Sequence, residues 1–162
     1  MLSLSKQTDY ALLALSYMAR LDPERTASTR EIADSFAIPS ELLAKILQRL
    51  TRAQIAASSA GPAGGYRLAR QACQINISAV IEAVDGPMAF THCLKTADNG
   101  CEQHDKCTIR GPLTRIHERI LQMLSLITLD EIIREEASNV SYPMLSLSAH
   151  IIPVNTHIGR NR

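Results

Sequence analysis

The amino-acid sequence predicts a mainly α-helical protein that carries one small β-hairpin. Three features indicate this fold class: two short amphipathic segments that meet at a tight turn, a glycine-rich hairpin after them, and a longer apolar repeat further along. The chain has 162 residues, of which 46% are hydrophobic and 20% charged. This composition is sufficient for a core and excludes a chain that is disordered throughout. We therefore expect a winged helix-turn-helix followed by a long dimerisation helix.

The first two helices are predicted from apolar residues that recur at helical spacing. The first is expected over residues 5–21 and the second over residues 29–36. Ser28 and Glu31 form a predicted capping box at the start of the second helix. In that motif the serine accepts a hydrogen bond from the Glu31 amide while the glutamate side chain reaches back to the start of the helix.

The third helix is expected over residues 41–53, after a short break at residues 37–40, with Ser40 as its N-cap. Its apolar residues fall on one side, and its surface carries three cations, Lys45, Arg49 and Arg52. Two short helices joined by such a turn form a helix-turn-helix, whose second helix enters the major groove of DNA.

The predicted wing is a hairpin with strands over residues 55–59 and 66–69 and a glycine-rich turn over residues 60–65. Glycine has no side chain, so a turn of this composition can approach the DNA backbone closely. Residues 42–81 contain five basic residues and no acidic one. On charge alone this distribution would indicate a solvated helix face, with a surface for a polyanion as the alternative. Because basic residues also flank the hairpin on both sides, we favour a wing over an ordinary surface hairpin.

The second half of the chain contains a predicted helix over residues 79–84, capped by Ser78, and a longer helix with Pro112 in its first turn. A short acidic helix follows a second capping box at Thr128. The long helix has apolar residues at alternating spacings of three and four: Leu113, Ile116, Ile120, Met123 and Ile127. This seam is typical of helices that pair, although a small domain could also bury it internally. Because DNA-binding winged helices commonly act as dimers on two half-sites, we predict that it is a dimer interface.

The polar segment over residues 89–109 shows neither helical nor strand periodicity and contains three cysteines with the spacing C-x7-C-x5-C: Cys93, Cys101 and Cys107. A metal bound by these thiolates would order the segment. The spacing favours an iron–sulfur cluster over zinc, because the C-x2-C pairs typical of zinc sites are missing; unliganded thiols are the third alternative. His104 is a candidate ligand, and Cys73 is expected to be a small buried hydrophobe.

We expect three regions: a DNA-binding domain over residues 1–72, the cysteine loop with the dimerisation helix over 73–137, and a poorly ordered tail over 138–162. The sequence has no apolar run of the roughly 18 residues that a membrane span needs, and no secretory signal, so a cytoplasmic protein is expected.

The sequence contains no nucleotide-binding, HExxH or G-x-S-x-G motif, so we expect neither an enzyme nor a small-molecule substrate. The rival hypothesis is a cluster-carrying or zinc-stabilised interaction protein that has no DNA role.

Three stretches together resemble the IscR-type iron–sulfur transcription regulators. They are residues 9–12 (DYAL), the wing residues 61–70 (GPAGGYRLAR), and residues 81–87 (IEAVDGP) ahead of the cysteine loop. The likeness covers residues 1–137 and is greatest to regulators of the SUF cluster-assembly system, with the nitric-oxide-sensing NsrR type next. It implies a homodimeric repressor on double-stranded promoter DNA, with a 2Fe–2S or 4Fe–4S cluster held by Cys93, Cys101 and Cys107. Of the two cluster types we favour 2Fe–2S.

The resemblance leaves the fourth cluster ligand open. Arg110 stands where the IscR subtype has a histidine ligand, which leaves Asp9, contributed by the partner subunit in some relatives, or His104. Ala60 and Ala44 stand where IscR has an arginine before the wing and an acidic base-reading residue. The operator preference of IscR therefore does not transfer to this chain.

The predicted DNA contacts lie on the third helix and the wing. The residues expected to face the groove are Ser40, Glu41, Lys45 and Arg49. The residues expected to hold phosphates are Arg52, Arg67 and the backbone amides of Gly61, Gly64 and Gly65.

Overall fold

The computed structural model describes residues 4–61, 64–89 and 106–138. Within these ranges the chain forms six α-helices, one antiparallel pair of strands and a short 3-10 helix over Ala72–Gln74. The helices and strands are α1 (Lys6–Ala19), α2 (Thr29–Phe36), α3 (Ser40–Arg52), β1 (Ala56–Ser59), β2 (Gly65–Leu68), α4 (Ile77–Asp85), α5 (Arg110–Leu126) and α6 (Leu129–Ser138). The predicted fold class, mainly α with one hairpin wing, is confirmed.

The capping interaction predicted for α2 forms only in part. The Ser28 hydroxyl accepts from the Glu31 amide at 3.1 Å, as expected. The Glu31 carboxylate, which was expected to reach back, instead accepts from the Tyr17 hydroxyl at 2.8 Å and from Arg25 at 2.7 Å. Tyr17 is brought to Glu31 by the packing of α2 against α1, which local sequence does not encode, and Arg25 lies in the loop just before α2.

Two predicted N-caps are wrong. Ser40 is the first residue of α3 rather than its cap, because the Leu43 amide already bonds the Pro39 carbonyl at 3.0 Å. Asn76 rather than Ser78 caps α4, since its side-chain oxygen accepts from the Ala79 amide at 2.8 Å. Asparagine is as good an N-cap as serine, so α4 begins two residues earlier than expected.

The turn between α2 and α3 spans three residues. Ala37 adopts the left-handed conformation, with φ of 52°, and so ends α2. Ile38 follows it and is buried, which anchors the turn in the core. The turn thus has the length and burial expected of a helix-turn-helix.

The core is one aliphatic cluster to which α1, α2, α3, the base of the wing, α4 and the start of α6 all contribute. Backbone bonds from Ile77 to Ile127 (3.0 Å) and from Leu129 to Ile75 (2.8 Å) hold the starts of α4 and α6 side by side. Leu129 is completely buried as a result. The aliphatic core therefore contains residues from both sides of residue 72. The domain boundary expected there stays a prediction.

The long helix α5 packs against α4, yet none of its 17 residues is buried. Ile116 and Met123, in the middle of the predicted seam, are 48% and 54% exposed. Ile127 is not part of this helix, because it caps the C-terminus in an extended conformation. The seam within α5 therefore ends at Met123.

Across the three described ranges, no helix has both the length and the apolar character that crossing a bilayer requires. The tail predicted over residues 138–162 lies, apart from its first residue, outside the described residues.

Replacing Gly65 with alanine tests how tightly the wing packs. A Cβ at this position would meet the backbone carbonyl of Ala27, which bonds to Tyr66 and cannot move without breaking that pairing. We expect Gly65→Ala to lower the free energy of unfolding by about 1–3 kcal/mol in urea denaturation. The control is Gly111→Ala, where a Cβ meets nothing within 4 Å, so stability should rise by up to about 1 kcal/mol. Wild-type stability in the Gly65 variant would contradict the packing described.

Candidate nucleic-acid interface

The exposed side of α3 carries a polar stripe opposite the core. The buried side consists of Leu43, Ile46, Leu47 and Leu50, each completely buried. The outward stripe follows intervals of four, three and four residues and consists of Glu41, Lys45, Gln48 and Arg52, all exposed. Sequence reasoning missed Gln48, although its spacing from Lys45 and Arg52 could have identified it. An amide side chain at this position can donate and accept hydrogen bonds at a base edge.

The first turn of α3 borders α2 across an open concavity. Its walls are formed by Thr29, Arg30 and Asp34 from α2 and by Ser40, Glu41 and Ala44 from α3. Ser40 and Glu41 are both exposed, as their predicted role requires. Since this concavity carries both signs of charge, the basic character of the surface lies further along α3, from Lys45 onward.

The wing is a short hairpin whose base is fixed to the segment before α2. Ser59 pairs with Gly65 in the strand register, and Ala27 and Tyr66 exchange two backbone hydrogen bonds of 2.8 and 2.9 Å. A Cβ at Gly64 would meet the Ser59 carbonyl, so this glycine is required by the hairpin itself, whereas Gly65 is required by the contact with Ala27.

Gly61 differs from the other two wing glycines. It is exposed, a Cβ there would meet nothing within 4 Å, and its φ of 117° is one that other residues rarely adopt. The backbone at Gly61 is therefore accessible to a partner, whereas Gly64 and Gly65 are half-buried.

The second half of α3 and the wing enclose a groove of about 220 Å³. It is lined by Gln48, Thr51, Arg52, Ser58 and Tyr66. Arg67 lies elsewhere, because successive strand residues point to opposite faces of a hairpin. It lines a different cavity, near the end of α1. The structure thus brings Arg52 to the wing groove and separates Arg67 from it.

Arg49 points sideways from α3 rather than along the polar stripe. Its Nη1 donates to the Gln7 side chain of α1 and to the backbone carbonyl of Val84 in α4, both at 2.8 Å. This guanidinium therefore joins three helices, and its predicted contact with DNA stays a prediction.

The predicted cluster ligands are only partly within the described residues. Cys93, Cys101 and His104 lie outside them. Cys107 is a half-buried free thiol three residues before α5, and Asp9 is exposed in the first turn of α1. In the part of the chain that the structure describes, no three histidine, cysteine or acidic side chains come together as a metal site. A half-buried free thiol at Cys107 fits the donor set that an iron–sulfur cluster uses.

Cys73 is exposed, so the prediction that it is a buried hydrophobe is wrong. It lies in the 3-10 helix, where its neighbour Ala72 packs against the core instead. The Cys73 thiol is 3.6 Å from the Gln71 side-chain oxygen. It is therefore a thiol accessible to solvent and separate from the cysteine loop.

Comparison with known proteins identifies relatives over most of the chain. The family model Rrf2, described as an iron-dependent transcriptional regulator, matches residues 4–135. The HTH-type transcriptional regulator NsrR of Oceanobacillus iheyensis is 28% identical over 135 residues, which cover 83% of this chain and 92% of that protein. The HTH-type transcriptional regulator IscR of Sodalis glossinidius is 32% identical over 133 residues, which cover 82% and 79%.

The fold is also that of a solved structure. CymR, the global cysteine regulator of B. subtilis, superposes with a TM-score of 0.65 at 22% identity, over 83% of this chain and 98% of that one. At this identity the likeness concerns the fold alone, and it agrees with the helix-turn-helix and wing described above.

The outward stripe of α3 predicts which cations neutralise phosphate, Lys45 from within the groove and Arg52 beside the wing. Lys45→Ala and Arg52→Ala should each weaken binding to a duplex that the wild-type protein has enriched from a random-sequence pool. The slope of log affinity against log salt should fall by about 0.9 for each phosphate that the variant no longer neutralises. Fluorescence anisotropy over a salt series measures both quantities.

The control for these variants is Arg134→Ala, which removes an exposed cation of α6 that pairs with Asp130 at 2.9 Å. Its affinity and slope should equal those of the wild type. Unchanged slopes in both α3 variants would contradict the proposed orientation of α3 on DNA.

Proposed function

Because the chain belongs to the Rrf2 family of transcriptional regulators, we propose that it is a repressor whose affinity for double-stranded promoter DNA depends on a bound iron–sulfur cluster. Membership makes it a DNA-binding regulator rather than an enzyme. The observation that carries the proposal is the polar stripe of α3, which has Lys45 at its centre and Arg52 beside the wing groove. The proposed targets are genes of iron–sulfur cluster assembly or of iron and redox stress.

On DNA, α3 would lie in the major groove with its first half toward the base edges. Ser40, Glu41, Lys45 and Gln48 would face the groove, since all four are exposed. Arg52 and the accessible backbone at Gly61 would hold phosphates on the wing side of α3. Arg67 would reach phosphate only from the other face of the wing.

The cluster would be held by Cys93, Cys101 and Cys107, with Asp9 or His104 as the fourth ligand. Thiolates are the ligands that iron–sulfur clusters use, and the three cysteines lie between α4 and α5. When bound, the cluster would supply a centre that reacts with oxidants or nitric oxide. We favour a 2Fe–2S over a 4Fe–4S cluster.

A second candidate function is a nitric-oxide-sensing repressor of the same family. It is supported by the relatives named NsrR and by Asp9, which matches the aspartate ligand of some such regulators. The two candidates share the DNA interface and the cysteine loop, and they differ in the signal that removes the cluster.

The proposed repressor is a homodimer formed through α5. This helix presents Ile116, Met123 and Leu126 to solvent, with Leu126 71% exposed. Apolar side chains spaced along one side of a helix are stabilised when a second helix covers them. A two-fold pair of chains would also present two copies of α3 to two half-sites of DNA.

Anaerobic purification tests the cluster. We expect a brown protein with stoichiometric iron and sulfide and without zinc, with the colour lost in Cys101→Ala. The matched control is Cys73→Ala, which removes the exposed cysteine outside the loop and should keep the colour. Colourless protein that carries zinc would contradict the cluster and favour a zinc-stabilised site. Colourless protein without metal would leave a DNA-binding regulator with a different signal.

Sedimentation velocity tests the dimer. The double variant Ile116→Glu/Met123→Glu places two charges in the seam and should convert a dimer to a monomer. Gln122→Glu adds the same kind of charge at an exposed position beside the seam and should remain dimeric. A wild-type monomer, or a dimer that survives the double substitution, would contradict an interface on α5.

A further inference from the structure

The start of α1 and the end of α4 are joined by one carboxylate. Asp85, the last residue of α4, accepts from the Ser5 hydroxyl at 2.6 Å and from the Thr8 hydroxyl at 2.8 Å. Ser5 is at the same time the N-cap of α1, since its oxygen accepts from the Thr8 amide at 3.1 Å. A negative charge at a helix N-terminus is favourable, so Asp85 stabilises the start of α1.

Thr8 connects this contact to the core, although Asp85 itself is exposed. Thr8 is completely buried and is the only buried polar residue in the part of the chain that the structure describes. Because its hydroxyl donates to Asp85, the loss of that acceptor would leave a buried donor without its partner. The ends of α1 and α4 are thus held in one arrangement.

Arg49 connects α3 to this contact between α1 and α4. The last carbonyls of a helix lack intrahelical partners, and Arg49 donates to one of them, the Val84 carbonyl, at 2.8 Å. A cation at a helix C-terminus is favourable for the helix dipole. The bond from Arg49 to Gln7, also 2.8 Å, extends the contact to α1. We call Ser5, Gln7, Thr8, Arg49, Val84 and Asp85 the three-helix junction.

We infer that Arg49 is a positioning residue that sets the orientation of α3 against α1 and α4 and thereby couples the cysteine loop to the DNA-reading surface. This inference rests on the proposed cluster-dependent function. The reason is where the residues of the junction lie along the chain. Asp85 lies at the end of the helix that leads into the cysteine loop, and Thr8 directly precedes the candidate ligand Asp9. α3 packs directly against α1 and α4, and Arg49 adds hydrogen bonds to Gln7 and Val84, the chain neighbours of Thr8 and Asp85. A displacement at either place would therefore be transmitted to α3 through these bonds.

The alternative role for Arg49 is the predicted direct contact with DNA, in which its charge would neutralise phosphate. The two roles differ in what they predict for salt dependence, because a phosphate contact contributes about 0.9 to the salt slope and a positioning residue contributes nothing. They also differ in the effect of the cluster. A coupling residue changes the ratio of the affinities with and without cluster, whereas a phosphate contact lowers both affinities equally.

The test measures binding of the full chain to the enriched duplex, with the cluster loaded and after its removal by an iron chelator. Arg49→Met should reduce the ratio of the two affinities at least about fivefold toward one and should keep the wild-type salt slope. The matched control is Arg52→Met, one turn away on the outward stripe, which should lower the slope and keep the ratio. A lower slope with an unchanged ratio in Arg49→Met would overturn the inference.

A second variant changes the junction at α4 rather than at α3. Asp85→Asn weakens the acceptor for Ser5 and Thr8 without changing α3, so it should also reduce the ratio while keeping the slope. Thermal unfolding of each variant establishes that it is folded. If Arg49→Met does not fold, the test rests on Asp85→Asn. A ratio of the affinities with and without cluster that equals the wild-type ratio in that variant would overturn the inference.

Hydrogen exchange separates failure of this inference from failure of the proposed function. If wild-type DNA affinity does not respond to the cluster, the proposed function is wrong, and the positioning role is judged by the Gly86 amide. That amide bonds the Glu82 carbonyl at 3.0 Å at the end of α4. Its exchange should accelerate in Arg49→Met and not in Arg52→Met. Equal exchange in both variants would overturn the positioning role.

Discussion

The burial of one side of α3 is the constraint on which the rest of the structure depends. Leu43, Ile46, Leu47 and Leu50 are completely buried, and burial of such side chains contributes about 1.5–3 kcal/mol each. Once that side faces the core, the opposite stripe has to face solvent. The position of Lys45 and Arg52 on the molecule is therefore a consequence of where four aliphatic residues pack.

The same core explains why α1 is largely buried on one side and α5 is not. α1 contributes Ala11, Ala14 and Leu15 to the aliphatic cluster and is held on several sides. α5 has no buried residue and leaves apolar side chains in water. Within the described residues, the apolar side chains of the DNA-binding half are thus covered by the same chain. The apolar side of α5 is not, and the proposed second copy would cover it.

Fold and signal are separate properties in this family. The chain shares its fold with CymR, described as a global cysteine regulator, and has relatives named NsrR and IscR. A common fold does not select among signals, because function is determined by the groups at particular sites. In this chain the groups proposed for that role are the three cysteines of the loop and the fourth ligand. The three-helix junction connects α3 to the end of α4, the helix that precedes the cysteine loop in the chain, and we propose that a change of signal alters DNA binding there without altering the interface itself.

The sequence by itself determined the features that depend on neighbours along the chain. The Ser28 cap of α2, the glycine-rich hairpin, the buried side of α3 and three members of its outward stripe all follow from local hydrogen bonding and helical spacing. Gln48 also repeats at that spacing, but a single neutral side chain lacks the charge that identified its neighbours.

Only the tertiary structure decided which side chains meet across the chain. Cys73 is exposed because of how the 3-10 helix packs, and Glu31 accepts from Tyr17 on a neighbouring helix. Arg49 donates hydrogen bonds to Gln7 and Val84, which are 42 and 35 residues away in the sequence. Asp85 accepts from Ser5, which is 80 residues away. Periodicity shows on which side of a helix a residue lies, but a hydrogen-bond partner depends on the position of another helix. That position is set by burial of the whole aliphatic core, which no local pattern contains.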